Sequence, residues 1–144
     1  MHNKITFRSF NDKDYKTINE WWDYWWEKGD GVEEKFLPHN KSCFIIEKNN
    51  IPIAAAFLFI DKHSPMAYLT YMVSNPKYKQ KDRRSIIEQL VTNIEKEAKL
   101  QGVEFIFTVC GNIHTENIHS KLGWTVDKSA LVSKRARRAS KSYG

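Results

Sequence analysis

The residues best equipped for chemistry lie in the second half of the chain. Residues 77–81, Lys-Tyr-Lys-Gln-Lys, form a basic run that leads into Asp82-Arg83-Arg84-Ser85, where an apolar stripe of helical period begins. Cations gathered at a helix start can hold an anion. The first N–H groups of a helix lack intrahelical acceptors, and the positive end of its dipole points the same way. The plainer reading is a set of solvated charges around an Asp that caps the helix. Farther on stands His119, whose imidazole can exchange a proton near neutral pH. A lone histidine more often fills a boundary position. Cys43 and Cys110 lie far apart, and His114 and His119 lack ligand spacing, so neither a disulfide framework nor a metal site is expected. Cys110 reads as a buried structural thiol.

Periodicity supplies the elements that would position these groups. Residues 4–10 alternate, Ile5 and Phe7 against Thr6 and Arg8, as a strand does. Asn11 or Asp12 then starts a helix running to about Trp26. Tyr15, Ile18, Trp21, Trp22, Trp25 and Trp26 fall within an arc of roughly 140° on it. Such a stripe is core before it is a stacking platform, although four tryptophans exceed what a small core needs. Residues 43–47 and 51–60 read as a hairpin about Asn49-Asn50, the second strand apolar on both faces as a central strand is. Residues 66–73 form another strand, broken by Asn75-Pro76. A helix runs from about Asp82 to Leu100, with Gly102 just past its end. Residues 103–109 then read as a strand and 113–122 as a short helix stopped by Gly123. Residues 124–126 and 130–133 are candidates for two last strands. The strand–helix–strand passages require crossovers, hence a parallel component in a mostly antiparallel α/β (α+β) sheet.

The 144 residues suit one domain, 1–135, followed by a basic tail, 136–144, that is expected to be mobile. With 41% hydrophobic and 28% charged residues the composition is that of a globular chain, not a disordered one. The net charge of +6 is mostly local: Lys134, Arg135, Arg137, Arg138 and Lys141 carry five of the six charges, and without them 18 basic residues face 17 acidic ones. Contact with nucleic acid is therefore expected only through the tail. No apolar run approaches the roughly 18 residues of a membrane span, and the N-terminus lacks the apolar core of a signal peptide. A cytoplasmic protein is expected.

Two segments resemble the GNAT superfamily of N-acetyltransferases, and the likeness covers the chain to about Arg135. One stands as Met72-Val73-Ser74-Asn75-Pro76-Lys77-Tyr78-Lys79-Gln80-Lys81, then Asp82-Arg83-Arg84-Ser85 and the helix. The other stands as residues 105–109, Asn112, Thr115, His119 and Lys121-Leu122-Gly123-Trp124. Their order, separated by a helix of suitable length, carries the specificity. The resemblance implies a mixed, mostly antiparallel sheet with two parallel central strands flanked by helices. It also implies acetyl-CoA as acyl donor, its pyrophosphate at the start of the second long helix. The family's turn there reads Gln/Arg-x-x-Gly-x-Gly/Ala, whereas this chain has Lys79-x-x-Asp82-x-Arg84. Both small residues are gone, and a carboxylate has come in. Lys79, Gln80, Lys81, Arg83, Arg84 and Ser85 would then bind phosphate through side chains, and weakly.

His119 occupies the place where the family commonly carries a tyrosine that protonates the departing thiolate. The helix C-terminus would favour its charged form. The resemblance makes Asn112 a partner of the pantetheine arm or a cap, and makes the backbone of Met72 and Val73 the group that polarises the thioester carbonyl. Tyr71, Glu33 and Glu34 are candidate bases, none preferred. The implied activity is an acyl-CoA-dependent N-acyltransferase passing an acetyl group directly to an amine on a small molecule or a protein, with a homodimer compatible. Two alternatives stand beside it. One is a binding or structural module that kept the fold and lost catalysis, in line with the altered turn. The other is a nucleic-acid- or ribosome-associated transferase guided by the tail.

Overall fold

The elements follow one another as β1 (Ile5–Ser9), α1 (Asp14–Trp25), a 3₁₀ turn (Glu34–Phe36), β2 (Cys43–Lys48), β3 (Ile51–Ile60), β4 (Met66–Ser74), α2 (Arg83–Leu100), β5 (Phe105–Cys110), α3 (Ile113–Lys121), β6 (Thr125–Asp127) and β7 (Arg137–Ser142). The structure, a computed structural model, describes residues 3–38, 42–110, 113–127 and 137–142. Two compact units interleave in sequence: Met1–Phe57 with Tyr71–Asn93, and Leu58–Thr70 with Ile94–Gly144. Strands β3 and β4 and helix α2 supply residues to each.

In the first unit the strand order is β1-β2-β3-β4. Strands β1 and β2 pair antiparallel from Ile5↔Lys48 to Ser9↔Phe44. The β2–β3 hairpin turns at Asn49 and Asn50, whose φ values of 52° and 67° are those a tight two-residue turn requires and asparagine tolerates. Residues 53–57 are buried on both faces, the expected signature of an inner strand. Helix α1 is entered through a reciprocal cap. The Asn11 side chain accepts from the Lys13 amide at 3.0 Å, and Asp14 accepts from the Asn11 amide at 2.8 Å. Arg8 of β1 closes a fork on Asp14 at 2.7 and 2.9 Å and reaches Glu47 of β2 at 3.2 Å, fixing the helix start to the sheet. Ile18, Trp21 and Trp22 are buried, whereas Trp25 is 46% exposed. The aromatic stripe is core in its middle and surface at its end.

In the second unit the order is β3-β4-β5-β7-β6. Strands β4 and β5 run parallel from Met66↔Phe105 to Leu69↔Thr108, the expected parallel pair in a mostly antiparallel sheet. Thr108 marks the end of that register by donating its hydroxyl to the Leu69 carbonyl at 2.6 Å. Helix α2 stops where Gly102 takes φ 83°, with the Val103 amide bonding the Ala98 carbonyl at 3.0 Å and the Gly102 amide that of Lys99 at 3.1 Å. Leu58, Leu69, Ile94, Ala98, Ile106 and Trp124 fill the core of this unit.

One expectation is corrected here. Residues 137–142, read from sequence as part of a mobile tail, form β7, paired with β5 from Phe105↔Ser142 to Cys110↔Arg137 and with β6 from Thr125↔Ser140 to Asp127↔Arg138. Main-chain hydrogen bonds to a neighbour on each side need no apolar pattern, so a charged strand of this kind leaves little trace in hydropathy. The strand candidate at 130–133 lies outside the described residues.

Candidate functional site

The site begins where β4 gives way to α2. Asn75 closes the strand, its amide donating to the Ile53 carbonyl at 2.7 Å and its side chain to the Pro52 carbonyl at 3.0 Å. The loop then runs to Asp82, whose carbonyl accepts the Ile86 amide at 2.9 Å and so opens the helix. Lys79, Gln80, Lys81, Arg84 and Ser85 are exposed around this start. The first turn of any α-helix has N–H groups without intrahelical acceptors, here those of Arg83, Arg84 and Ser85; the Arg83 amide is turned to the Gln80 carbonyl at 3.3 Å.

The Asp82 carboxylate is held by two protein partners. Its Oδ2 meets Lys48 Nζ at 2.5 Å, and its Oδ1 accepts from the Tyr78 hydroxyl at 2.5 Å. The Lys48 ammonium, reinforced by Tyr78, holds the Asp82 carboxyl below the usual carboxylate range, and Asp82 in turn raises Lys48. Arg83 is engaged as well. Its Nη2 donates to the Ser74 hydroxyl, and its guanidinium lies 5.2 Å from the centre of the Trp25 ring. Trp25 donates its indole N–H to the Ser74 carbonyl at 2.8 Å, so α1, the end of β4 and the start of α2 are tied at one point. Of the four cations read from sequence, Lys79, Lys81 and Arg84 stand exposed, and Arg83 is committed to this latch.

Just upstream, Tyr71 has φ 54°, a value that a bulky residue adopts only where its surroundings hold it. Trp22 supplies part of that hold, with its indole N–H 3.4 Å from the Tyr71 carbonyl and the two rings edge to face at 6.2 Å. Met72 and Val73 follow this position directly in β4. Glu33 and Glu34 are exposed, Glu33 in a surface pair with Lys35 at 3.5 Å. Together with Asp23 they bear on Tyr15, whose hydroxyl donates to the Val32 carbonyl at 2.7 Å; burial first and these carboxylates second push Tyr15 up. Cys43 is a buried thiol pushed up to about 12 by that burial, which leaves it inert as a nucleophile.

His119 sits in the other unit, 1% exposed. Its Nδ1 lies 2.8 Å from the Thr115 carbonyl, which fixes the proton on that nitrogen in the neutral ring. Gly123, at φ 90°, ends α3, and the Trp124 amide bonds back to the His119 carbonyl at 2.9 Å. His119 and Trp124 are thus the two residues that a Schellman cap brings together, and their rings meet edge to face at 4.8 Å. Trp124 donates its indole N–H to Glu95. The helix C-terminus was expected to favour the imidazolium. Burial outweighs it and lowers the His119 pKa, against smaller opposing effects of the Thr115 carbonyl and Glu95. Asn112 lies outside the described residues, and the side chain of Cys110 is not described.

Sequence reading missed Lys48 and Trp25 as parts of this site. Their partners are 34 and 49 positions away, and only the Tyr78-x-x-x-Asp82 spacing offered a local sign.

A family model, the acetyltransferase (GNAT) family, matches residues 3–124. The chain belongs to this family. Among solved structures it is similar to N-acetylglutamate synthase from Neisseria gonorrhoeae complexed with coenzyme A and N-acetyl-glutamate, at 14% identity and TM-score 0.75, covering 100% of this chain and 36% of that one. It is similar to the PaiA N-acetyltransferase from Thermoplasma acidophilum in complex with coenzyme A, at 16% identity and TM-score 0.69, covering 97% and 99%. A third likeness is the ribosomal-protein-S18-alanine N-acetyltransferase from Escherichia coli, at 17% identity and TM-score 0.64, covering 95% and 91%. No curated protein matches the chain in sequence. No helix among the described residues is long and apolar enough to cross a membrane.

Proposed function

We propose that the chain is an acetyl-CoA-dependent N-acyltransferase whose donor binds at the start of α2. Membership of the GNAT family supports the reaction class. The observation that carries the donor site is the state of Asp82: its carboxylate, which would repel a pyrophosphate, is paired with the Lys48 ammonium and hydrogen-bonded by the Tyr78 hydroxyl. What remains around the helix start is Lys79, Lys81, Arg84, the Ser85 hydroxyl and the N–H groups of Arg84 and Ser85, a donor set that fits a polyanion.

The donor supplies an activated acetyl thioester. The chain's part is to hold it, to orient its carbonyl and to manage protons. Met72 and Val73 follow the positive φ of Tyr71, and their N–H groups are the proposed support for the carbonyl oxygen. A neutral amine then forms the new C–N bond as the C–S bond breaks. The amine loses one proton to a base or water, and the thiolate gains one. His119 is a poor source for that last proton, because it is buried, neutral and bound through its one N–H to Thr115. Its role in this reading is to cap α3.

The test is release of free CoA thiol from acetyl-CoA in the presence of a panel of amines: amino acids, polyamines, aminoglycosides and peptides with free N-termini. Thiol release that depends on one class of amine supports the proposal and names the acceptor. Donor binding without release from any amine favours the second reading, a module that kept the fold and lost transfer, to which the burial of His119 lends weight. The tail-guided alternative is weakened, since the main chain of residues 137–142 is committed to the sheet.

A further inference from the structure

Lys48 is the last residue of β2, at the hairpin end, and nothing in its own segment suggests a functional role. In the fold it lies 2.5 Å from Asp82, the residue that opens α2. An aspartate in that place normally turns its carboxylate onto the first amides of its own helix. Here Oδ2 goes to Lys48 and Oδ1 to Tyr78, and with the Arg83 amide turned to the Gln80 carbonyl the amides of Arg84 and Ser85 are left for another acceptor. The Lys48 and Asp82 side chains retain 19% and 38% of their exposure, and a pair so open to solvent adds little to stability. Its consequence lies in the charge it cancels.

We infer that Lys48 and Tyr78 are positioning residues of the donor site: both hold the Asp82 carboxylate and Lys48 cancels its charge, so that a pyrophosphate can occupy the start of α2. The inference rests on the donor reading above and deepens it. In effect an ion pair does by cancellation what a glycine at position 82 would do by having no side chain. The arrangement also constrains substitution: with Lys48 neutral, Asp82 becomes a net negative charge beside the phosphates, and with Asp82 neutral, Lys48 becomes an additional cation there.

The experiment is calorimetric titration of acetyl-CoA into the full chain and into Lys48→Met, Asp82→Asn, the double variant and Lys48→Arg, with melting temperatures recorded for each. Lys48→Met is expected to weaken binding about tenfold at low salt, with the loss shrinking as salt rises. Lys48→Arg, which keeps the charge, should bind as the unaltered chain does. Asp82→Asn alone should tighten binding. The decisive arm is the double variant, which should recover affinity to within about twofold of the unaltered chain although both halves of the tie are gone. A purely structural tie predicts the reverse, a double variant as weak as Lys48→Met or weaker, and that result would overturn the inference. An unchanged affinity in Lys48→Met would overturn it too. If Lys48→Met does not fold, Lys48→Gln replaces it in both the single and the double arm. Failure of the unaltered chain to bind acetyl-CoA would remove the donor reading and this inference with it, whereas binding that ignores Lys48 removes the inference alone.

Discussion

At His119 two electrostatic effects oppose each other: the carbonyl end of α3 favours the imidazolium, and burial disfavours it. Burial prevails, so the folded pKa lies below the unfolded value near 6.5. The unfolded chain takes up a proton first, so the contribution of a neutral His119 to stability is complete above about pH 6.5 and is lost as pH falls through the folded pKa. Denaturant titrations at pH 7.5 and 5.5 should show the unaltered chain losing stability over that interval more steeply than His119→Gln. Equal slopes in the two proteins would mean that the charged ring is tolerated where it stands. His119→Gln should also retain a turnover within a few-fold of the original, a much smaller effect than the roughly 10²-fold or greater loss expected for a general acid. Asp14 works at the other end of the scale. Burial raises its carboxyl, but the Arg8 fork and the Asn11 amide more than compensate, and its pKa falls. Its contribution is therefore complete above the unfolded value near 4 and is lost only as pH falls further, so Asp14→Ala should cost about 2 kcal/mol at neutral pH and progressively less in acid. Neither environment was legible from residue type. A histidine four places before Gly-Trp reads alike whether it is exposed or 1% exposed, because burial is decided by segments far away in sequence.

Local chemistry did announce the elements. Asn49-Asn50 between two apolar runs marked the β2–β3 turn, and Gly102 and Gly123 marked the ends of α2 and α3, because positive φ is a property that particular residues carry with them. Gly123→Ala should accordingly lower stability by about 1 kcal/mol, as read from the denaturation midpoint, since an L side chain at φ 90° is strained and the cap joining His119 to Trp124 loosens. A neutral outcome would show that α3 ends independently of that cap. The ties that shape the candidate site were not announced. Lys48 to Asp82 and Trp25 to Ser74 each join elements distant in sequence, and no periodicity records which face of a hairpin end meets which loop. The sequence pointed to the helix start at Asp82 and to the altered residues within it, but not to the way in which Asp82 and Arg83 are held.

For the molecule as a whole, the strand orders β1-β2-β3-β4 and β3-β4-β5-β7-β6 match the mixed sheet that the strand–helix–strand passages required. Residues 137–142 were not foreseen as a strand, because they lie in a basic stretch whose pairing is carried by the main chain. Truncation after residue 136 removes β7 and leaves β5 and β6 without the neighbour that each pairs with. The melting temperature should fall by about 10 °C or more; an unchanged value would show that residues 137–142 contribute nothing to the folded state. The central claim is that this GNAT chain binds acetyl-CoA at the start of α2 although both small residues of the family's turn are absent. Calorimetric titration of acetyl-CoA into the unaltered chain and into Arg84→Ala, at low and at high salt, tests it most directly. The expected result is a dissociation constant on the order of tens to hundreds of micromolar, weakened by salt and weakened further in Arg84→Ala. The contradicting result is no heat and no thermal stabilisation at millimolar acetyl-CoA, or binding that is indifferent to Arg84 and to salt.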